Sequence, residues 1–208
     1  VRSLTSKFRE RFLLQAPVTG LQRSPNGVAV QAKGQPTRIF DQVIVATHGD
    51  QALRLIHQPT PTEMEILGAF QFQHNEAILH TDVSVLPKRK LAWAAWNYHI
   101  GQQPVERVPV TYNMNILQGL DAPETFCVTL NHDHNIDPAR ILKRIHYEHP
   151  IFSKASVAAQ LRFEEVSGVN RIHYCGAYWF NGFHEDGMRS GIRAADAVLA
   201  LRPGGGAE

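Results

Sequence analysis

The passage that most restricts the fold lies at the end of the chain. Ile172-His173-Tyr174-Cys175-Gly176 reads as a short strand, Gly182-Phe183-His184-Glu185-Asp186-Gly187 as a glycine-flanked loop, and Met188 to Leu201 as a helix. Met188, Ile192, Ala195 and Leu199 recur at helical spacing, which predicts one apolar face turned inward. Gly187, Ser190, Gly191, Ala194 and Ala195 keep the helix thin, so that it can press against a sheet or a bound group. The first turn of such a helix presents unpaired N–H groups and the positive end of its dipole, a seat for an anion or an electron-rich ring edge. The plainer reading is close helix–sheet packing with Asp186 as an ordinary N-cap.

A second constraint stands near the other end. Val43-Ile44-Val45-Ala46 is a continuous apolar run headed by Asp41, the pattern of a strand buried on both faces of a parallel sheet. Before it, Val18 to Gln22 and Val28 to Ala32 flank the turn Pro25-Asn26-Gly27 and predict a hairpin. Arg38-Ile39-Phe40 adds a further strand after Gly34-Gln35-Pro36. Gln51 to His57 reads as a short helix capped by Asp50. Thr60-Pro61-Thr62-Glu63 carries a capping box and opens a helix to about Phe70. Four strand-like stretches follow, Ala77 to His80, Leu91 to Tyr98, Val108 to Asn115 and Phe126 to Leu130, and predict a separate antiparallel sheet. Asp137-Pro138 predicts a helix to about Glu148, and Ser153 to Arg162 reads equally as helix or loop.

Composition removes several classes. With 208 residues, 43% hydrophobic and 19% charged, the chain can bury a sizeable core. A net charge of +2 gives no footprint for nucleic acid. No apolar stretch reaches the ~20 residues that span a bilayer. Two cysteines, Cys127 and Cys175, make no disulfide framework and favour a reducing, cytoplasmic setting. Among eleven histidines the best clusters are His132-Asp133-His134 and His146-x-x-His149. Neither has a recognised metal spacing, so no metal is expected. A serine hydrolase is set aside because the chain lacks its G-x-S-x-G elbow.

The strand, Gly176, the aromatic loop and the Gly-x-x-x-Gly-like helix start resemble the carboxy-terminal flavin motif of FAD-dependent amine oxidases and their relatives. More narrowly, the chain is similar to a subgroup of NAD/FAD-binding proteins in that superfamily. The residues that carry this are Ala46-Thr47-His48, Leu79-His80-Thr81-Asp82, Ala92-Trp93-Ala94-Ala95-Trp96-Asn97-Tyr98, Thr111-Tyr112-Asn113-Met114-Asn115 and Gly182 to Gly187. The resemblance implies a mixed α/β fold: a partial Rossmann-like FAD-binding domain with a β-meander, plus an antiparallel-sheet substrate domain. Its expected division is 1–69 and 166–208 for the FAD domain and 70–165 for the substrate domain. FAD contacts are implied for Val18, Ala46, Thr47, Gly176, Ala177, His184, Glu185, Asp186, Gly187 and Met188, with the Met188 N–H facing the flavin ring. His48 and His184 flank that position. Trp96, Tyr98, Tyr112, Tyr178 and Trp179 are the candidate walls of an apolar substrate pocket, with Trp93 and Trp96 expected on one strand and on opposite faces of it.

Two departures stand out. The Gly-x-Gly-x-x-Gly fingerprint occurs nowhere, and Ala177 follows the strand glycine where many amine oxidases carry an acidic residue. The chain therefore reads as the back part of a longer flavin-dependent oxidoreductase, inactive alone and a weak binder of FAD. The substrate implied is a small molecule, an amine or a lipid acyl chain, with peripheral membrane contact as a further implication. No residue stands out as a catalytic acid or base. The competing class is a non-catalytic β-rich module for an apolar ligand or partner.

Overall fold

A computed structural model describes residues 2–100, 109–132 and 135–201. The start of the strand expected at Val108, the residues Asp133 and His134, and the glycine tail lie outside them. The chain separates into two units, residues 1–72 with 150–208, and residues 73–149.

The first unit opens with the helical turn α1 (Arg2–Thr5) and continues into β1 (Val18–Ser24), β2 (Gly27–Ala32) and β3 (Arg38–Phe40). These form an antiparallel three-stranded sheet in the order β1-β2-β3. The turn closes on Ser24 opposite Gly27, and the register sets Leu21 against Val30. Leu21 and Val28 are buried, as the alternating pattern requires. β4 (Val43–Val45) pairs in parallel with β10 (Ile172–Tyr174), aligning Val45 with Tyr174.

The apolar run of β4 is not covered on both faces. Val45 is buried but Ile44 is 40% exposed, because among the described residues this sheet has only two strands. α2 (Gly49–Leu55) begins two residues before the expected start. His48 is its N-cap, with Gln51 accepting from the His48 N–H at 3.3 Å, while Asp50 instead pairs with Arg54 at 2.7 Å. α3 (Pro61–Gly68) has the predicted capping box: Thr60 accepts from the Glu63 N–H, and Glu63 accepts from that of Thr60 at 2.9 Å.

α5 (Lys154–Gln160) is a helix capped by Ser153. Residues 150–165, expected with the middle sheet, pack in the first unit, where Ala159 and Phe163 join Ile66, Leu67, Phe70, Ile172 and Trp179 in the core. Phe70 and Phe163 meet the edges of Trp179 at 4.7 and 4.8 Å. Each such contact is worth ~0.5–1.5 kcal/mol beyond burial.

α6 (His184–Ala200) starts four residues earlier than predicted, because the Asp186 carboxylate accepts from the N–H groups of Asn181 and Phe183 and folds the loop into the first turn. Its buried face is Asp186, Ser190 and Ala194. Met188, Ile192 and Leu199, expected inward, are exposed. Small side chains decide this orientation, since only they let the helix approach the backbone after β10.

The second unit is a five-stranded sheet, order β6-β7-β8-β5-β9, of β5 (Phe72–His80), β6 (Trp96–Tyr98), β7 (Val110–Asn113), β8 (Cys127–Leu130) and β9 (Ile141–Pro150). α4 (Met114–Gln118) follows β7 directly, capped by the Asn113 side chain. The helix expected after Asp137 does not form. Asp137 caps a single turn, Pro138–Arg140, and the next ten residues are β9. Ile141, Ile145, His146 and Tyr147 suit a pleated surface better than a helix, and β9 hydrogen-bonds to β5 in the sheet. The capping signal was real, but it was spent on one turn.

Candidate functional site

The carboxyl ends of β4 and β10 lie side by side, held by the Cys175 N–H donating to the Val45 carbonyl at 3.0 Å. The chain leaves the two strands at Ala46 and at Gly176. In open parallel sheets ligands bind beyond this end of the strands. From Gly176 the backbone is tied to α6: its N–H donates to Ser190 Oγ at 2.8 Å, and Ser190 Oγ donates to the Gly187 carbonyl at 2.9 Å. A Cβ placed on Gly187 would lie 4.0 Å from that of Ala177. Ala46, Thr47, Gly176, Ala177 and Gly187 thus fall within one neighbourhood of the first unit.

The helix start supplies the donors. His184 and Glu185 are exposed there and their amides belong to the open first turn. Gly187 N–H already bonds the Phe183 carbonyl at 3.1 Å. Met188, one residue further on, lies inside the helical ladder, so its N–H does not face outward as expected. The Asp186 carboxylate is buried and occupied as a cap, which leaves Glu185 as the exposed acid of this turn. Val18 stands apart, exposed at a bulge of β1.

Two observations bear on whether a group outside the chain fits this neighbourhood. A Cβ on Gly191 would meet nothing within 4 Å, and one on Gly187 would meet only Ala177. Glycine inside a helix costs about 1 kcal/mol relative to alanine, and among the described residues no packing requires it at these two positions. The Tyr178 hydroxyl and the Trp179 indole N–H are buried side by side in the turn Ala177–Trp179. Burial raises the Tyr178 pKa strongly, so the hydroxyl stays protonated. An amide from α5 holds the loop, Gln160 Nε2 donating to the carbonyls of Tyr178 at 2.9 Å and Phe180 at 2.6 Å. No local pattern announces Gln160, because its partners lie about twenty residues away. His48, beside Thr47, stacks on Phe72 with centroids 4.0 Å apart.

The aromatic candidates divide. Tyr178 and Trp179 are 3% and 2% exposed, within the core of the first unit. In the second unit Trp96 pairs across the strands with Tyr112, edge on at 4.9 Å, and Tyr98 follows on the same face by alternation. Trp96 and Tyr98 are more than half exposed, and burial pushes the Tyr112 hydroxyl pKa up. Trp93 is not on this strand. It follows the turn Lys90–Ala92, and its indole N–H donates to the Pro87 carbonyl at 2.8 Å.

The motif residues of the second unit are ties. Asp82 accepts from the N–H groups of Ser84 at 2.9 Å and Asp137 at 2.8 Å, which fastens two turns together. Asn97 bridges Ala94 and the Thr111 carbonyl, and Asn115 holds Glu124 and Phe126. His149, of the His146-x-x-His149 pair, bonds Asn75 at 3.0 Å.

A parallel strand pair, a glycine-bearing helix packed on its end and an inserted antiparallel sheet define a dinucleotide-cofactor protein of the flavoprotein type. The chain belongs to the family of flavin containing amine oxidoreductases, which matches residues 1–106. The cofactor of that family is FAD. Among solved structures, cyclohexylamine oxidase from Brevibacterium oxydans IH-35A superposes with a TM-score of 0.60 at 13% identity, over 97% of this chain and 52% of that one. Reduced UDP-galactopyranose mutase gives 0.64 at 13% identity, over 97% and 51%. A CLA-producing fatty acid isomerase from P. acnes gives 0.57 at 14% identity, over 90% and 48%. The chain thus spans about half the length of these proteins. No curated protein matches it in sequence.

Proposed function

We propose that this chain forms the flavin-facing and substrate-facing portion of an FAD-dependent oxidoreductase that oxidises an amine or a lipid acyl chain. Bound FAD supplies the hydride acceptor, and the protein supplies position and a dry setting. In this reading the ends of β4 and β10, at Ala46-Thr47 and Gly176-Ala177, form the floor on which the cofactor rests. The open amides at His184 and Glu185 donate to its electron-rich edge. Gly187 and Gly191 keep α6 low enough for that approach. Trp96, Tyr98 and Tyr112 offer an aromatic face to an apolar substrate.

The observation that carries the reading is the pair of helical glycines over which no described residue packs closely. Its test is Gly187→Val in the full-length flavoprotein that carries this segment, read as flavin-to-protein ratio beside the melting temperature. Valine is a better helix former than glycine by a few tenths of a kcal/mol, and its Cβ meets only Ala177. The fold should therefore keep or slightly raise its melting temperature while flavin content collapses. A folded variant with full flavin occupancy removes Gly187 from the site.

A further inference from the structure

The second unit holds a chain of hydrogen bonds that no flavin contact requires. His80, Thr129 and Thr111 are fully buried on one face of the sheet. His80 Nε2 lies 2.8 Å from Thr129 Oγ1, Thr129 Oγ1 lies 2.8 Å from Thr111 Oγ1, and Thr111 Oγ1 lies 3.1 Å from His99 Nε2. At the far end the backbone N–H of Asp82 donates to His80 Nδ1 at 3.1 Å.

That backbone donor sets the tautomer of His80, and one assignment of the remaining protons gives every hydroxyl of the chain an acceptor. A backbone amide can only donate, so His80 Nδ1 carries no proton and the neutral ring bears it on Nε2. His80 Nε2 then donates to Thr129, Thr129 donates to Thr111, and Thr111 donates to His99 Nε2. Each hydroxyl has one proton, and this assignment uses every one of them. His99 Nε2 is thereby an acceptor, and the neutral ring carries its proton on Nδ1. A proton added at Nε2 would leave one buried hydroxyl with nowhere to donate, a costly outcome.

His99 lies on the wall of a groove of about 550 Å³, contained in the second unit, whose other walls include Leu86, Pro87, Lys88 and Tyr98. Its ring stacks on His132, centroids 4.7 Å apart, and His132 Nε2 engages the Asn135 side chain at 2.7 Å. Among the described residues the groove therefore brings together the His99 imidazole, the Lys88 ammonium and the apolar side chains of Leu86 and Pro87.

We infer that this groove binds an organic carboxylate with an apolar or aromatic body. The His99 Nδ1–H and the Lys88 ammonium take the carboxylate oxygens, and Leu86 and Pro87 cover the body. An N–H and a cation can hold either a carboxylate or a phosphate, and the apolar side chains of Leu86 and Pro87 favour an anion with an organic body over inorganic phosphate, which has nothing for them to cover. The inference is independent of the flavin reading, because the groove lies within one unit and binding there needs no FAD.

The experiment uses the 208-residue chain, labelled with nitrogen-15, and follows the histidine ring nitrogens by NMR during titration with benzoate, benzamide and inorganic phosphate. His99 should show the Nδ1–H tautomer before any ligand is added. Benzoate should shift the His99 ring and the Lys88 amide along one saturating curve, with benzamide and phosphate at least about tenfold weaker. Lys88→Met, on an exposed turn, should weaken benzoate by about tenfold or more. Thr111→Val should release His99 into mixed tautomers and weaken benzoate, and Thr111→Ser should restore both. A His99 ring in the other tautomer, no shift with benzoate, equal binding of benzamide or phosphate, or unchanged binding in Lys88→Met would each overturn the inference. If Thr111→Val does not fold, the ligand series on the unmodified chain and Lys88→Met still decide the matter.

Discussion

A methyl group on Gly176 would lie 2.3 Å from Cε1 of Tyr178, a ring that is itself locked in the core. Gly176→Ala should therefore lower stability by about 1–3 kcal/mol, as overpacking does. Urea unfolding would read the loss, and an unchanged midpoint would mean the ring yields freely. Glu63 is the second residue on which much depends. Its carboxylate is buried, pairs with Arg23, accepts from the Tyr174 hydroxyl at 2.5 Å, and closes the Thr60 capping box. Burial first, then the Glu63 hydrogen bond, raises the Tyr174 pKa strongly, so the phenol stays a donor. Glu63→Ala strands the largely buried Arg23 charge and should cost about 3–5 kcal/mol. Glu63→Gln, which keeps part of the network, should cost less in the same unfolding experiment. The capping-box spacing made Glu63 visible as a helix signal. Its burial was not visible, because Arg23 and Tyr174 lie 40 and 111 residues away.

Elements of this chain are joined by single side chains as much as by apolar surface. Among the described residues the apolar cluster of the second unit is small, formed by Ile78, Val85 and Ile136 with Ile141 against it. Asp82 contributes what the cluster does not, by fastening the turns at Val83–Val85 and Pro138–Arg140. Asp82→Ala leaves two N–H groups without their acceptor, at about 1–3 kcal/mol for each that is not rehydrated. Hydrogen exchange should show the amides of Ser84 and Asp137 opening well before the strand amides of β5 and β8. Protection unchanged at both would remove Asp82 from this role. The motif Leu79-His80-Thr81-Asp82, which carries part of the family likeness, serves in the structure as a joint.

For the whole molecule the clearest expectation concerns acid. Burial holds the pKa values of His80, His99 and His173 below the ordinary histidine value. The unfolded chain therefore binds more protons than the folded one once pH falls below about 6.5, and stability falls with it. Each histidine contributes a slope of at most ~1.4 kcal/mol per pH unit until its folded pKa is passed. Burial raises the Asp82 pKa, but the N–H groups of Asp137 and Ser84 outweigh it and hold the carboxyl below its ordinary value. Its contribution is present above the unfolded carboxylate range and is lost as pH falls through the folded pKa. Thermal midpoints should be flat above pH 7 and decline from about 6.5 downward. His80→Gln should flatten the upper part of that decline, and a midpoint that rises on acidification would contradict the burial of these rings.

Local chemistry was readable wherever the controlling partner lies within a few residues. The hairpin at Pro25-Asn26-Gly27, the Thr60–Glu63 box and the thin helix near the end all follow from neighbours in sequence. Caps, turns and alternation are short-range interactions, so a single chain displays them. The rest was decided by distant partners. The residues after Asp137 became a strand because a neighbouring strand, β5, takes their hydrogen bonds, which outweighs a helix start worth ~1 kcal/mol. α6 turned its small residues inward because Gly176 and Ser190 meet, not because its large apolar side chains had been covered. Within the candidate site, Gly176 and Gly187 were legible as glycines near a helix start, whereas Gln160 and the His80–Thr129–Thr111–His99 chain were not. Strand register aligns those threonines, and register depends on pairing between segments that the linear pattern does not connect.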